Sequence, residues 1–402
     1  MRIVLISDYG RLMGGAETTV ANLREEFRRR GHEVRWFAST AGGRALRFEA
    51  DERCLGTTSR WRTVLQTWNP WAAWALRRTL KSFRPDVVHV TMFLTQLSPA
   101  ILAVLRGWPV VWHAMWYRGV CPTGLKWLPR EAQCRYPWGI ACYREGCLPS
   151  RDWLLLMIQM HWWWQNRAVI RRIVVESDAV RRMLEEHGFV VMDKIAPGVR
   201  ERPMRPPLGT RPVIAYAGRL TKEKGVEVLM AALREVPSAE GWIVGDGPER
   251  AALEQLVRQW QLDDRVKFFG HLAREEAERL LEQAWVQVVP SLWAEPFGLV
   301  AVEAAMRGTV VVASATGGLV ETVEHERTGL LVPPGNVQEL ARALGRLLRS
   351  RELLEQWGVA AHERASKHFG IPRAAEQWEG VYARVIENCA NRARTAREHV
   401  CR

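Results

Sequence analysis

The stretch Glu295-Pro-Phe-Gly-Leu-Val-Ala-Val-Glu303 decides the fold of the second half of this chain. An apolar run from Trp285 to Pro290 precedes it and predicts a buried strand that a proline ends. Leu299 to Met306 are good helix formers, and Thr309 to Ser314 predicts the next buried strand. The order strand, loop, helix, strand predicts a βαβ unit. Its loop then lies at the carboxyl edge of a parallel sheet, where α/β proteins bind ligands.

This loop predicts an anion site flanked by two acids. The backbone N–H groups of Phe297, Gly298 and Leu299 would open a helix N-terminus, which suits a phosphate. Glu295 and Glu303 are eight residues apart, about two helical turns. Carboxylates repel a phosphate but accept hydrogen bonds from sugar and ribose hydroxyls. From spacing alone, the two acids are explained equally well as solvated surface charges.

Four motifs resemble, in their order along the chain, the second domain of glycosyltransferase family 4. They are Gly218-Arg-Leu…Lys224-Gly225, Gly245-Asp-Gly-Pro248, Glu295-Pro-Phe-Gly-Leu…Glu303 and Thr328-Gly-Leu-Leu-Val332. The resemblance implies the α/β GT-B fold, in which two Rossmann-like domains face each other across a cleft and a C-terminal helix crosses back to the first domain. It also implies a retaining, hexosyltransferase-type glycosyltransferase that uses a UDP- or GDP-linked sugar.

The resemblance also implies roles for individual residues. Cations in a loop at a strand end suit a pyrophosphate, although surface lysines and arginines are equally frequent, and the family's motif implies that Arg219 and Lys224 hold the donor diphosphate. It implies that Glu295 is catalytic and meets the sugar, while Glu303 holds the ribose. The other donor-site residues that it implies are Gly14, Gly15, Gly245, Asp246, Leu272, Phe297, Gly298 and Leu299.

His113 is the second candidate catalytic residue, and it closes the predicted strand Val110–His113. A single histidine in this position is more often structural. In the family, however, a histidine near the donor sugar often stands at this point. The pair Gly14-Gly15 follows the first predicted strand, Ile3–Ser7, and matches the family's glycine-rich first loop.

Length and proline content predict two domains. A chain of 402 residues exceeds one ordinary core, and prolines cluster after residue 196. We predict an N-terminal acceptor-binding domain over 1–203, a linker over 204–212 and a nucleotide-sugar-binding domain over 213–371. Residues 372–402 are predicted to form the returning helix and a tail that is loose after Asn388, with arginines at Arg392, Arg394, Arg397 and Arg402.

Charge and tryptophan content indicate an anionic partner. The net charge is +13, and there are 20 tryptophans. The segment 60–83 is predicted as one helix that mixes Trp61, Trp68, Trp71 and Trp74 with arginine and lysine, and Trp153–Ile170 is apolar but interrupted. Both are typical either of a membrane interface or of a packing face between helices. No apolar run reaches ~18 residues. We therefore predict a cytoplasmic protein, peripheral to the membrane, that acts on a glycan or lipid-linked acceptor of the cell envelope.

Cys121, Cys134, Cys142 and Cys147 form a cysteine-rich region, but only the last two approach the spacing of a zinc knuckle. Separate reduced thiols are favoured over a zinc or iron–sulfur site. The chain has no Asp-x-Asp triplet, so no metal or other cofactor is expected in catalysis.

Two other classes of function compete with the enzyme. A basic nucleic-acid binder fits the charge but not the motifs, so no nucleic-acid partner is expected. A catalytically silent scaffold does not need the intact acids and cations.

Overall fold

The computed structural model describes residues 1–42 and 47–400, with side chains described as far as Asn391. The chain divides into two compact units. The N-terminal unit contains residues 1–129, 134–198 and those from Ile371 onward, and the C-terminal unit contains 130–133 and 199–370. The divisions at 198 and 370 depart from the predicted 203 and 371. Residues 204–212, predicted to be a linker, lie in the C-terminal unit because the buried Arg205 side chain donates to the carbonyl of Gly308 and pairs with Glu355.

The strands follow one another as β1 (Arg2–Tyr9), β2 (Glu33–Ser39), β3 (Glu52–Cys54), β4 (Val87–Val90), β5 (Val110–Ala114), β6 (Trp127–Leu128), β7 (Ala132–Gln133), β8 (Arg172–Val175), β9 (Asp193–Lys194), β10 (Val213–Ala217), β11 (Glu240–Val244), β12 (Val266–Gly270), β13 (Val286–Val289), β14 (Val310–Ser314) and β15 (Gly329–Val332). The α-helices are α1 (Gly15–Arg29), α2 (Arg62–Thr67), α3 (Pro70–Phe83), α4 (Ala100–Leu105), α5 (Ala141–Arg144), α6 (Ser150–Asn166), α7 (Asp178–Glu185), α8 (Val226–Arg234), α9 (Arg250–Gln259), α10 (Arg274–Leu281), α11 (Leu299–Met306), α12 (Leu319–Thr322), α13 (Val337–Leu348), α14 (Arg351–Phe369) and α15 (Ile371–Val400).

The N-terminal unit is built on a parallel sheet with the strand order β3-β2-β1-β4-β5-β8-β9. The order reverses between β1 and β4, as in a Rossmann-like domain. Every residue of β4 and β5 is buried, which explains why these strands are apolar runs without alternation.

Helix α15 returns to the N-terminal unit, as predicted. Trp378, Val381, Tyr382 and Val385 share one apolar cluster with the first strand and with helix α1. The helix continues to Val400, so the prediction of a loose chain after Asn388 is wrong for the backbone. The predicted tail side chains of Arg392, Arg394 and Arg397, and all of Arg402, lie outside the described residues.

The segment 60–83 forms two helices, α2 and α3, where one was predicted. Pro70 disfavours helical backbone at Asn69, and Asn69 Oδ1 instead accepts a hydrogen bond from the backbone N–H of Ala72 at 3.0 Å. Leu76 and Leu80 bury one face of α3. The tryptophans do not form a buried packing face, because Trp61, Trp68, Trp71 and Trp74 are 56–61% exposed. No described helix has the length and hydropathy needed to cross a bilayer.

The C-terminal unit holds a second parallel sheet, with the order β12-β11-β10-β13-β14-β15. The predicted βαβ unit is β13-α11-β14, and α11 has the predicted bounds. The strand order reverses between β10 and β13. The loops that follow these two strands therefore meet at the sheet's switch point, where an open α/β sheet leaves a crevice for a ligand.

Candidate active site

A glycine allows the two switch-point loops to touch. Gly225 has φ +65°, and a Cβ atom there would lie 2.1 Å from the carbonyl oxygen of Pro290. No other residue would fit without backbone movement. The backbone N–H of Leu292 then donates to the carbonyl of Glu223 at 2.9 Å, which ties the loop after β13 to the loop after β10. Lys224 is thereby held beside the loop that carries Glu295.

Lys224 and Glu295 form an ion pair between these loops. Lys224 Nζ lies 2.5 Å from Glu295 Oε1 and 5.2 Å from the ring centroid of Trp293. The Glu295 side chain is only 6% exposed. Its second oxygen, Oε2, is buried and accepts no hydrogen bond from any residue that the structure describes. Buried carboxylate oxygens are normally satisfied, so this oxygen is a spare acceptor at the switch point.

The next turn of chain presents backbone donors. Gly298 has φ +94° and precedes α11. Within the described chain, the N–H groups of Phe297, Gly298 and Leu299 donate to no acceptor. The loop is held by a hydrogen bond from the Gly318 N–H to the Glu295 carbonyl at 2.6 Å. Such open N–H groups at a helix N-terminus suit an anion. The side chain of Phe297 does not take part, because it is buried against Phe369.

Arg219 extends from the loop after β10. It is exposed, and its guanidinium has no ion-pair partner among the described side chains. Its carbonyl accepts a hydrogen bond from the hydroxyl of Tyr216 at 2.7 Å, which fixes the start of the loop. Burial raises the pKa of the Tyr216 hydroxyl, and the negative charge of Glu295 raises it further. Arg219 is therefore an available cation on a fixed backbone.

Glu303 faces cations on α11 and α10. Its carboxylate lies 3.9 Å from Arg274 Nη2, and its side chain is 37% exposed. Packing around the carboxyl raises its pKa, while the charges of Arg307 and Arg274 offset part of that rise. Burial lowers the pKa of Arg307 to about 10. Glu303 is thus a partly accessible carboxylate oriented by cations, not the freely solvated charge that the alternative interpretation describes.

The remaining residues predicted for the donor site in this unit lie at the ends of neighbouring strands. Gly245 and Asp246 follow β11, and Leu272 follows β12. Asp246 is exposed and accepts a hydrogen bond from its neighbour's N–H, that of Gly247, at 2.7 Å. Leu272 is half-buried against the apolar cluster under these loops. The structure thus places them along the same carboxyl edge as the switch-point loops.

Three predicted site residues belong to the N-terminal unit. Gly14 and Gly15 are exposed at the start of α1, in the predicted loop after β1. His113 was expected at an accessible sheet edge, but it has no exposed surface. Its ring lies 4.7 Å from that of Trp378, and its Nε2 atom is 3.3 Å from Glu176 Oε1. Helix α15 covers the strand end that the sequence left open, so the structure does not support a direct contact of His113 with a substrate.

Trp293 was missed by the sequence interpretation. Its ring packs beside the Lys224 ammonium, two residues before Glu295. A tryptophan in the loop after β13, two residues before the Glu-Pro-Phe-Gly turn, was the available signal, because an aromatic ring there can stabilise a cation held in the same crevice.

Comparison with known proteins assigns the chain to a family. Residues 200–364 match the family described as Glycosyl transferases group 1, and residues 13–199 match Glycosyltransferase Family 4. The chain belongs to the family-4 type of glycosyltransferases. This agrees with the resemblance seen in its motifs.

This glycosyltransferase matches its curated relatives at 32–39% sequence identity over about half of its length. It is 38% identical over 212 residues to the D-inositol 3-phosphate glycosyltransferase of Mycobacteroides abscessus, a match that covers 50% of this chain and 46% of that protein. The matches span about half the length, or less, of the curated relatives.

Solved structures confirm the fold. The sucrose-phosphate synthase of Thermosynechococcus elongatus has a TM-score of 0.75 and 24% identity, over 96% of this chain and 100% of that chain. The HepE protein of Anabaena, solved with UDP and glucose, has a TM-score of 0.69 and 21% identity, over 95% of this chain and 99% of that chain. At these identities the likeness establishes the GT-B fold with its two Rossmann-like domains, and it does not establish a substrate.

Proposed function

We propose that this protein is a retaining glycosyltransferase that moves a sugar from a nucleotide-diphosphate sugar to a hydroxyl group. One observation carries the proposal. At the switch point, Lys224 is paired with a buried carboxylate whose Oε2 atom has no hydrogen-bond donor in the described chain, beside open N–H groups at the start of α11. Cation and N–H groups suit a diphosphate, and the spare carboxylate oxygen suits a sugar hydroxyl.

The proposed reaction exchanges one bond at the anomeric carbon. The acceptor oxygen bonds to that carbon, the bond to the diphosphate oxygen breaks, and its electron pair remains on the nucleoside diphosphate. The acceptor's hydroxyl proton is released. Negative charge grows on the leaving diphosphate, so Arg219, Lys224 and the α11 N-terminus stabilise the transition state more than the ground state. Retention of the anomeric configuration rests on the family resemblance, and NMR of the first-formed product tests it.

For the donor, we propose a uridine nucleotide sugar. The HepE protein was solved with UDP and glucose, and its fold matches nearly the whole chain. In our proposal Glu303 holds the ribose, because its carboxylate is partly accessible and lies 3.9 Å from the Arg274 guanidinium. The motifs alone left UDP and GDP open, and a comparison of the two donors decides between them.

For the acceptor, we propose a lipid-linked or otherwise membrane-proximal glycan at an anionic, cytoplasmic membrane face. We define the aromatic-basic surface as Trp61, Trp68, Trp71 and Trp74 with the exposed cations Arg60, Arg62, Arg77, Arg78 and Lys81. It continues onto α6, because Trp68 stacks on Trp162 with 4.9 Å between ring centroids. Leu154 and Ile158 are 56% and 50% exposed on the same helix.

Amphipathic tryptophans at headgroup level, surrounded by cations, are how peripheral proteins attach to anionic leaflets. The net charge of +13 favours the same attachment. This surface supports a membrane-proximal acceptor and leaves the chemical identity of the acceptor open.

The decisive experiment measures purified protein against a panel of nucleotide sugars. A ligand at 100 times its Kd stabilises the folded state by about 2.7 kcal/mol, so the true donor should raise the apparent Tm and the others should not. Slow hydrolysis of the same donor, with release of nucleoside diphosphate, should accompany binding. Binding without hydrolysis or transfer would favour the silent scaffold. A panel in which no nucleotide sugar binds would reject the proposed function.

A further inference from the structure

Four cysteines of the segment after β5 converge on one small cavity. Cys121, Cys134, Cys142 and Cys147 all line it, although they come from separate turns of the segment after β5. The rest of the lining is Pro122, Thr123, Trp127, Leu128, Tyr136 and Ala141. The cavity is small, with room for about one water molecule. The lining thus brings four potential thiolate ligands to one place, as a single structural metal ion requires.

The backbone around the cysteines is held in tight turns. The Gly124 N–H donates to the Cys121 carbonyl at 2.9 Å, and the Leu148 N–H donates to the Cys142 carbonyl at 3.0 Å. Regular structure is sparse here, since β6 has two residues and α5 has four. A segment with so little regular secondary structure is the kind that proteins stabilise with a metal ion or a disulfide.

A buried cation stands next to the thiols. Lys126 is 2% exposed, and its Nζ atom donates to the carbonyl of Tyr136 at 2.7 Å and lies 3.0 Å from His187 Nε2. The Cys134 thiol approaches the same Tyr136 carbonyl at 3.9 Å. Within the described residues Lys126 pairs with no carboxylate. A buried ammonium without a carboxylate partner is unfavourable even when it is hydrogen-bonded, so a negative charge close by would stabilise it.

We propose that Cys121, Cys134, Cys142 and Cys147 together bind one structural zinc ion, with Lys126 compensating its charge. Four thiolates and Zn²⁺ carry a net charge of −2, and the buried ammonium neutralises half of it. Four cysteine ligands and no open position are typical of a structural zinc site. Such an ion would order the segment after β5, at the carboxyl edge of the N-terminal sheet.

Zinc binding requires the thiols to turn toward the cavity. In the described residues, no three His, Cys, Asp or Glu side chains are already arranged to hold an ion. Rotation about χ1 of each cysteine moves its sulfur without changing the tight turns. The four thiols lose their protons to solvent when they bind, so apparent zinc affinity should increase with pH.

The experiment measures the metal content of the whole protein, purified without chelator, by mass spectrometry. About one zinc ion per chain is expected. Cys142→Ser and Cys147→Ser should each lose it, whereas Cys389→Ser, which changes a half-buried cysteine of the same unit outside the cluster, should keep it. Iron in place of zinc, or zinc content that the two cluster variants leave unchanged, would overturn the proposal.

Two further measurements test the zinc site even if a cysteine variant fails to fold. A strong chelator should lower the apparent Tm of the wild-type protein, and added zinc should restore it. Lys126→Met should keep the site but weaken zinc by about 10–100-fold in a competition titration, as is typical when a partner outside the ligand shell is lost. A wild-type Tm that is insensitive to chelator, with no bound metal, would overturn the zinc site. An intact cluster disulfide in the native protein would overturn it as well.

Discussion

The Glu295 carboxylate has one satisfied oxygen and one unsatisfied oxygen, although it is buried. It is buried with one oxygen paired to Lys224 and the other without a donor in the described chain. An unsatisfied buried oxygen lowers stability, and proteins keep such a group where function needs it. The pairing also explains why the cation is ready for a diphosphate. Lys224 is held by Glu295 and by the ring of Trp293 before any ligand arrives, so little reorganisation is needed on binding.

Arg219→Ala should lower kcat/KM by about 100–1000-fold, which corresponds to ~2.7–4 kcal/mol of transition-state stabilisation. The apparent Tm should stay at the wild-type value, because the guanidinium is exposed and unpaired in the described chain. Steady-state kinetics with the identified donor and thermal unfolding measure the two quantities. Arg258→Ala, an exposed arginine on α9, is the matched control and should change neither. Wild-type turnover in the Arg219 variant would contradict the diphosphate role.

Lys224→Ala should behave differently, because it leaves the Glu295 carboxylate buried without its partner. Removing one member of a buried ion pair typically lowers stability by about 3–5 kcal/mol. The double variant Lys224→Met with Glu295→Gln removes both charges and should recover most of the lost Tm. Thermal unfolding of the two variants provides the comparison. Equal stability of the single and double variants would mean that the pair is not formed in solution.

Glu303→Gln and Glu295→Gln should separate nucleotide binding from transfer. Loss of the Glu303 charge should weaken binding of free UDP by about 10–150-fold, the range for a hydrogen bond to a charged group. Glu295→Gln should leave UDP binding unchanged and reduce transfer. Isothermal titration measures binding, with Glu275→Gln on the exposed face of α10 as control. The reverse pattern would exchange the two roles.

The sequence predicts a secondary-structure element well when residues at its own ends determine it, and poorly when distant segments determine it. Helix α11 and strand β10 have the predicted bounds, because glycines, prolines and apolar runs mark their ends directly. The break between α2 and α3 was also signalled locally, by Asn69-Pro70, but the surrounding apolar pattern concealed it. The contact between Lys224 and Glu295 depends on how two distant loops pack, and the burial of His113 depends on α15. No local pattern reports either one.

The aromatic-basic surface should bind anionic vesicles. Trp71 and Trp74 lie on the exposed face of α3, with the Arg78 guanidinium 4.8 Å from the Trp74 ring. Sedimentation should show binding that requires anionic lipid and falls as salt rises, because the Debye length shrinks from about 10 Å at 0.1 M to about 3 Å at 1 M.

A variant with both Trp71→Ala and Trp74→Ala should lose most of this binding and keep its Tm. Val359→Ala, an exposed apolar side chain on α14, is the control and should bind as wild type does. No sedimentation with anionic vesicles at low salt would reject the membrane-proximal acceptor. The donor site in the C-terminal unit would be unaffected by that result.

At the scale of the whole molecule, helix α15 covers a cluster of buried polar side chains in the N-terminal unit. His89 Nδ1 lies 2.6 Å from the Tyr382 hydroxyl of α15, and the rings of His89 and His113 pack against each other and against Trp378. Glu176, at the end of β8, completes the cluster. These groups come from β4, β5 and β8, and α15 seals them from solvent. Their protonation is therefore coupled to the folding of the unit as a whole.

This coupling predicts how stability depends on pH. Burial raises the pKa of the Glu176 carboxyl to about 8, while an unfolded glutamate titrates near 4.3. The folded state holds a proton that the unfolded state has lost, so this contribution is fully present below about pH 4.3 and is lost as pH rises through 8. His113 acts in the opposite sense. Burial lowers its pKa to about 3, so its contribution is lost as pH falls from about 6.5 toward that value.

Glu176→Gln should isolate the carboxyl's share of this dependence. Relative to wild type, the variant should become more stable as pH rises from 5 to 8, by about 1.4 kcal/mol per pH unit. The reason is that the folded wild-type protein holds one proton, on Glu176, that the folded variant lacks. Thermal unfolding followed by tryptophan fluorescence across the range measures the difference. Glu185→Gln, an exposed acid on α7, should show no such pH-dependent difference. The prediction is wrong if the free energy of unfolding of the Glu176 variant differs from that of wild type by the same amount at every pH. Glu176 would then be ionised in the folded protein, and a cation outside this cluster would have to balance its charge.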